Sequence, residues 1–351
     1  MLFRSQIKSP KVTVIIPHWN GIEILEPCLR SLEATKYDHL EIVVVDNASS
    51  DDSVAFVHRE FPNVKVIQNT ENLGFAGGCN VGLREVESDY YLVLNNDTTH
   101  DSDWISPLVE QMEIDSSIAA VQPKIMSAQN PEVFDYAGGV GGLIDILAFP
   151  YALGRIFTTT EKDDGYYDIP RDIFWASGTA LLIRGAALQD VGLFDEDFFA
   201  HMEEIDLCWR FHNAGWRVVN APKSRIFHHS GWTLPPDRYQ KKYLNHRNNL
   251  MMIIKNYPFA YLAAIFPARL VLEGVAFVFS ALIRDWKRMA AITMAIGWNL
   301  FHPFLLIKKH KEAGKKRKPQ AVAATLRRMY GGSIFFQYFI RGQKRARDIE
   351  V

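Results

Sequence analysis

The feature that most constrains this chain is the way residues 12–121 switch between two periodicities. Val12–Ile16 is a short apolar run, and Ile22, Leu25, Leu29 and Leu32 then recur at helical spacing. Ile42–Val45 is a second run, followed by a polar turn and by Val54, Val57 and Phe61 at helical spacing. Val64–Ile67 and Tyr90–Leu94 are strand-like too, with a Gly-rich turn and a short helix between them. Trp104, Leu108 and Met112 mark another helix and Ile118–Val121 a further strand. Strands alternating with helices predict right-handed βαβ units and a mostly parallel, Rossmann-like α/β sheet. Ligands bind such sheets beyond the carboxyl ends of the strands. Asn20, Asp46 and the triplet Asn95-Asn96-Asp97 each follow a strand-like run, where such a fold places its site.

Composition excludes disordered and collagen-like classes: the 351 residues are 48% hydrophobic and 23% charged. The net charge of −1 hides an asymmetry, because residues 284–351 hold 16 Lys+Arg against 4 Asp+Glu, a net of +12. A basic tail on an acidic body points to an anionic surface, and no nucleic-acid recognition module accompanies it. Cys28, Cys79 and Cys208 are odd in number and in no metal-ligand spacing, which favours a reducing compartment over a disulfide framework. The segment MLFRSQIKSPKV lacks an apolar run, so no signal peptide is expected there.

Three regions are expected. Residues 11–122 form a nucleotide-binding half, 123–235 an acceptor-binding and catalytic half, and 236–351 a helical, membrane-associated region. Residues 123–172, rich in Gly and aromatics without a period, read as a long and partly mobile loop.

The residues that carry chemistry each have two readings. Asn95-Asn96-Asp97 ends an apolar strand, where a carboxylate and an amide oxygen can hold a hard divalent cation together with substrate phosphates. The same triplet is also ordinary Asx-turn chemistry. Asp46 can accept hydrogen bonds from a base or ribose, since Ser50 and Asp51 are better placed to cap the next helix. The stretch NTENLGFAGGCN at 69–80 is short enough to bring backbone N–H groups against a nucleotide, but it lacks GxGxxG, so a dinucleotide reading has no fingerprint. In FDEDFFAHMEEIDLCWR, a helix from Met202 puts Glu203 and Asp206 one turn apart with Glu204 pointing elsewhere. Such acids are either dipole-matching surface groups or, among Phe198, Phe199 and Trp209, carboxyls raised toward the range of a general base. His228-His229 follows an apolar pair and reads as structural unless Asp97 lies nearby.

Six segments resemble, in order over residues 11–235, the successive motifs of glycosyltransferase family 2: VTVIIPHWNG, EIVVVDNASSD, NLGFAGGCNVG, YYLVLNNDT, WASGTALLIR and FDEDFFAHMEEIDLCWR. The likeness is greatest to the rhamnosyltransferase-like branch that builds bacterial surface polysaccharides. The resemblance implies a GT-A fold and inverting transfer of a sugar from a UDP- or dTDP-linked donor to a hydroxyl of a glycan or polyprenyl-linked acceptor, with Mg²⁺ or Mn²⁺. It puts Pro17 and Asn20 in the nucleotide pocket and Asp46, with Asn47, on the base or ribose. Asn72, Gly74, Phe75, Gly77 and Asn80 fall on the nucleotide-side loop, with Asn95 and Asn96 also beside the donor. Asn95 and Asp97 stand where the family has its Asp-x-Asp-like metal motif. Trp175, Ser177 and Gly178 fall on the acceptor side. Glu203-Glu204 replaces the family's Glu-Asp, whose second member is the base. This selects Glu204 but leaves Glu203 and Asp206 as rivals. His228 or His229 matches a histidine that reaches the metal or diphosphate in some relatives. A catalytically inactive nucleotide-sugar-binding or assembly protein of the same fold is the alternative.

The last third holds two apolar stretches, Ala260–Ile283 with Pro267, Arg269 and Glu273, and Ala290–Ile307 with Asn299, His302 and Pro303. Either is long enough to span hydrocarbon. Two spans would leave Arg284, Lys287 and Arg288 outside, against the positive-inside tendency, and would bury Arg269 and Glu273 at a cost. Helices lying in the interface at the cytoplasmic face, with the basic run 308–318 on anionic lipid, are therefore expected. A soluble helical subdomain or a homo-oligomer interface is the other reading.

Overall fold

The computed structural model describes residues 9–229 and 238–349, so the expected absence of a signal segment and the 235–236 boundary fall largely outside it. The chain runs β1 (Val12–His18), α1 (Ile22–Glu33), β2 (Leu40–Asp46), α2 (Ser53–Glu60), β3 (Lys65–Gln68), α3 (Gly74–Glu85), β4 (Tyr90–Leu94), β5 (Thr98–His100), α4 (Ile105–Ile114) and β6 (Ile118–Ser127). Short strands β7 (Gly142–Ile144), β8 (Pro150–Ala152), β9 (Arg155–Ile156) and β10 (Thr159–Thr160) follow. Then come β11 (Ala180–Arg184), α5 (Gly185–Val191), α6 (Glu203–Asn213) and β12 (Arg217–His228). The remainder is helical: α7 (Tyr239–Asn256), α8 (Phe259–Leu282), α9 (Trp286–Phe301), α10 (Pro303–Lys316), α11 (Pro319–Arg327) and α12 (Ile334–Phe339).

Eight strands make one sheet in the order β3-β2-β1-β4-β11-β6-β12-β5. β11 runs against β4 and β6, and β5 against β12; the other six share one direction. β1 is apolar on both faces because helices cover both. Val12, Val14 and Ile16 meet Leu25 and Leu29 of α1 on one side, while Ile15 meets Cys79 and Leu83 of α3 on the other. The mostly parallel sheet thus follows the periodicity. β6 runs across residues 122 and 123, so the two expected halves share this sheet.

Two segments differ from their reading. The glycines of 69–80 lie largely inside α3, and only the residues before Gly74 form a turn. Their role is close packing: a Cβ on Gly77 would lie 2.6 Å from Leu73, and one on Gly78 2.7 Å from Asn47, as one on Gly82 further along α3 would lie 2.6 Å from Ile15. Residues 123–172 are no mobile loop, since β7–β10 build a second, antiparallel sheet there. Strands of two or three residues are too short to show a period. Gly142 exchanges both backbone hydrogen bonds with Trp175, whose indole lies 2.0 Å from where a Cβ would stand.

α7 and α10 pack on the body, and α8 lies along α7 with its polar residues inward. Arg269 donates to Asn249 at 3.0 Å and pairs with Glu273 at 2.8 Å, and His246 pairs with Glu273 at 2.6 Å. The outward face is apolar, with Val271, Val275, Val278, Phe279 and Leu282 exposed. Ala290–Ile307 is not one helix, because Pro303 starts α10 and bends it from α9 by 74°. Among the described residues α8 alone has the length and apolarity to cross a membrane by itself, and the bent α9–α10 pair passes the same test together. Beyond α11 the chain returns to the small sheet: Tyr330 exchanges backbone hydrogen bonds with Ile144 and Ile146, and the buried Asp145 accepts from the Ile334 N–H.

Candidate active site

The like-directed strands β1, β2, β4, β6 and β12 end at one edge, and most of the expected residues gather there. His18 closes β1 and hydrogen-bonds Asn96 at 2.8 Å and Ser53 at 2.9 Å, so Asn96 ties the end of β4 to β1. The Asp46 carboxylate accepts from the Ser49 N–H. Asn47 donates to the Gly74 carbonyl and accepts from Asn69, with Pro17 packed beside it across Gly78. Asn20, in the left-handed region at φ 56°, accepts from the Ser50 N–H at 2.8 Å. The two loops after β1 and β2 are thereby laced together. Asn72 accepts from the Gly74 N–H.

Asp97 is buried, and its Oδ1 accepts no well-aligned hydrogen bond although His228 Nε2 lies 3.1 Å away. On its other ring nitrogen His228 meets Asp135 at 2.8 Å. Burial alone would lower the His228 pKa, but the two carboxylates push it up to about 10. Nearby, the His229 ring lies 3.4 Å from the Thr99 hydroxyl, and its backbone N–H donates to the Asp97 carbonyl. Of the two expected histidines, His228 is the one whose ring stands at Asp97. No group of three His, Cys, Asp or Glu capable of holding a metal occurs among the described residues. The buried Asp97 carboxylate, ion-paired with His228 through Oδ1, fits a hard cation that takes its remaining ligands from a diphosphate. Asn95 is part-exposed beside it and donates its backbone N–H to the Thr179 carbonyl.

The acidic cluster sorts itself by environment. Asp206 is fully buried: Arg210 at 2.9 Å and Lys255 at 2.8 Å hold one oxygen, and Asn256 at 2.7 Å the other. Burial opposes its charge, yet Lys255 and Arg210 hold its carboxyl below the ordinary range. A carboxylate so engaged is a structural anion, which corrects its candidacy as a base. Glu203 and Glu204 each have an Oε2 enclosed without a hydrogen-bond partner. Burial, reinforced by the neighbouring Glu204, pushes Glu203 well up, while burial pushes Glu204 up to about 7. Glu204 faces Gly178, whose missing Cβ would lie 3.9 Å from the Glu204 Cβ and 3.0 Å from the Phe75 ring. Phe75 thus stands between the two expected acceptor- and donor-side elements.

Four expected residues also tie the scaffold together. Asn80 is fully buried, its amide bonded to Phe194 and Glu196. Gly77 packs on Leu73. Trp175 donates its indole N–H to the Leu143 carbonyl, and Ser177 is tied to Gln122, Ala137 and Thr179. Asp135 and His18 were missed, and no local signal in the sequence marks them.

A mostly parallel α/β sheet thus brings a strand-end carboxylate, Asp97, and the acids Glu203 and Glu204, each with one unpartnered oxygen, to one edge. The description "Glycosyl transferase family group 2" matches residues 90–308, and "Glycosyl transferase family 2" matches residues 13–165. The chain belongs to the family 2 glycosyltransferases. It is 24% identical over 243 residues to N-acetylglucosaminyl-diphospho-decaprenol L-rhamnosyltransferase of Mycobacterium tuberculosis, covering 65% of this chain and 79% of that one. It is 25% identical over 228 residues to poly-beta-1,6-N-acetyl-D-glucosamine synthase of Staphylococcus aureus, covering 64% of this chain but only 50% of that one. In fold it resembles GalNAc-T7 with UDP, GalNAc and Mn²⁺, at TM-score 0.61 and 15% identity over 84% of this chain and 58% of that chain. It also resembles a Pyrobaculum calidifontis mannosyltransferase in complex with GDP-Man and Mn²⁺, at TM-score 0.52 and 17% identity over 91% and 88%.

Proposed function

We propose that this chain transfers a sugar, with rhamnose the first candidate, from a UDP- or dTDP-sugar to a hydroxyl of a glycan or polyprenyl-linked acceptor in cell-surface polysaccharide synthesis. The observation that carries this is the pair of carboxylates at one sheet edge, Asp97 on the donor side and Glu204, with an unpartnered Oε2, beside Gly178. Asp46, Asn47, Asn20 and Pro17 would receive the nucleoside, and Asn72, Gly74 and Phe75 would border the donor. Asp97 and Asn95 would hold Mg²⁺ or Mn²⁺, with His228 and behind it Asp135 setting the Asp97 carboxylate. A divalent cation there supplies Lewis-acid stabilisation of charge on the leaving diphosphate. Glu204 Oε2 takes the acceptor proton as the acceptor oxygen bonds to the anomeric carbon. The bond from that carbon to the diphosphate breaks on the opposite face, so configuration inverts. Glu203, held neutral by burial and by Glu204, leaves its partner as the base. The test is a panel of UDP- and dTDP-sugars scored for Mn²⁺- or Mg²⁺-dependent hydrolysis and transfer. Donor binding without turnover on any acceptor would instead favour the inactive-relative reading.

We further propose that the protein lies on the cytoplasmic face of a membrane rather than crossing it. α8 is joined along its inner face to the polar helix α7, so spanning would carry α7 into hydrocarbon. Phe301 and Phe304, 85% and 87% exposed, extend the apolar face, and Lys308, Lys311, Lys315 and Lys316 lie exposed beside it. Binding to vesicles should rise with anionic lipid and weaken with salt, since the screening length is about 10 Å at 0.1 M. Phe301→Glu with Phe304→Glu should abolish it. Full-length protein that ignores anionic vesicles and stays monodisperse without detergent would overturn the membrane reading in favour of a helical subdomain or dimer interface.

A further inference from the structure

The turn that leads into α6 is unusual for residues with side chains. Phe199, His201 and Met202 have φ of 63°, 70° and 74°, positive values that residues with side chains keep only where their surroundings enforce them. The turn also reaches the donor side. The Phe199 carbonyl accepts from the Ala76 N–H at 3.2 Å and would lie 2.4 Å from a Cβ on Gly74, so no side chain is tolerated there. Its other end carries Glu203 and Glu204.

One buried side chain outside the catalytic motifs holds this turn. Asn248 of α7 directs its amide N–H groups to three carbonyls, Phe198 at 2.9 Å, Ala200 at 2.9 Å and His201 at 2.7 Å. Its amide orientation is fixed from behind, because Arg247 Nε donates to the Asn248 oxygen at 2.8 Å. Arg247 also donates to the Asp197 and Phe198 carbonyls. In turn α9 braces Arg247: Trp298 lies under its guanidinium at 5.0 Å, and Asn299 donates to its carbonyl. A continuous series of contacts therefore runs from the outer helices to the acid pair.

We propose that Asn248 is a positioning residue for sugar transfer: it fixes the 199–202 turn and so sets Glu203 and Glu204 relative to the donor-side residue Gly74. It touches neither donor nor acceptor, and it acts through the turn. The proposal rests on the reading of Glu204 as the base. The Phe198, Ala200 and His201 carbonyls converge on one amide whose oxygen is engaged by Arg247, so both donors of Asn248 are committed to the turn.

The test compares wild type with Asn248→Ala. Misplacement of a catalytic group by about 1 Å can cost roughly 10²-fold, so kcat for transfer should fall by about that factor while affinity for UDP or dTDP with Mn²⁺ changes less than roughly threefold. Amide exchange at 199–206 should accelerate without change in β1 or β4. Should Asn248→Ala not fold, Arg247→Gln frees the amide to rotate and should give the same split at smaller size. An unchanged kcat overturns the proposal. So does a parallel loss of kcat, nucleotide affinity and melting temperature, which marks mere destabilisation. A wild type inactive on every donor would refute the transferase reading instead, and the exchange measurement would still decide the role of Asn248.

Discussion

Asp97→Ala is expected to reduce metal-dependent donor turnover by about 10³-fold, because Lewis-acid stabilisation of a leaving diphosphate is worth several kcal/mol. The expectation follows from a buried carboxylate at the end of a parallel strand whose Oδ1 is held by a poorly aligned ion pair with His228. Mn²⁺ added with UDP should raise the melting temperature of the wild type and leave Asp97→Ala unmoved, a measurement that needs no turnover. Full activity in excess chelator would remove the metal from the mechanism. His228→Asn, which leaves Asp97 in place but loosens it, should cost roughly 10- to 100-fold, as outer-shell partners of metal ligands usually do.

Glu204→Gln should lower transfer by about 10²–10⁴-fold while leaving donor affinity intact, since the base acts on the acceptor. With the wild-type carboxyl near pH 7, kcat should climb as pH rises through about 7, where Glu204 ionises, and that limb should be missing from the variant. Stability should move the opposite way. The folded protein holds the Glu204 proton more tightly than the unfolded chain does. The neutral acid therefore contributes fully below pH 4.5, and the contribution is lost as pH rises through about 7. The gap corresponds to an upper figure of roughly 3 kcal/mol at about 1.4 kcal/mol per pH unit. At pH 8 Glu204→Gln should thus melt higher than wild type, with little difference at pH 4.5. If Glu204→Gln keeps its turnover and Glu203→Gln loses it, the base is Glu203.

The sheet was legible because β1, β2 and β4 lie buried between helical layers and leave continuous apolar runs. Asp46 and Asp97 were legible because the ends of parallel strands are where a site can form. What the sequence concealed depends on long-range partners. The glycines at 77, 78 and 82 look like a loop until Ile15, Asn47 and Leu73 are known to press on them. Spacing makes Asp206 the equal of Glu203, and Lys255 and Asn256, on α7 and 49 and 50 residues away, join Arg210 in making it a fixed counter-ion. Trp175 and Ser177 sit in a strong motif, but that motif frames the site from within. Arg269 and Glu273 argue against a buried α8 only while their partners are unknown; with His246 and Asn249 beside them, the polar face is the inner one.

The small sheet bears on how the chain is made. Asp145 sits at its heart and receives the Ile334 N–H, Thr159 meets the Tyr338 hydroxyl at 2.7 Å, and Glu161 receives the Ala346 N–H. Those partners are 179 to 189 residues downstream. At about 5–20 residues per second, the ribosome delivers them roughly ten to forty seconds after strands β7–β10 have emerged. Throughout that interval the carboxylates of Asp145 and Glu161 lack these donors. The small sheet can therefore make these contacts only after residues 334–346 have emerged, and any pause in translation past residue 160 lengthens the time it stands open to chaperones and proteases.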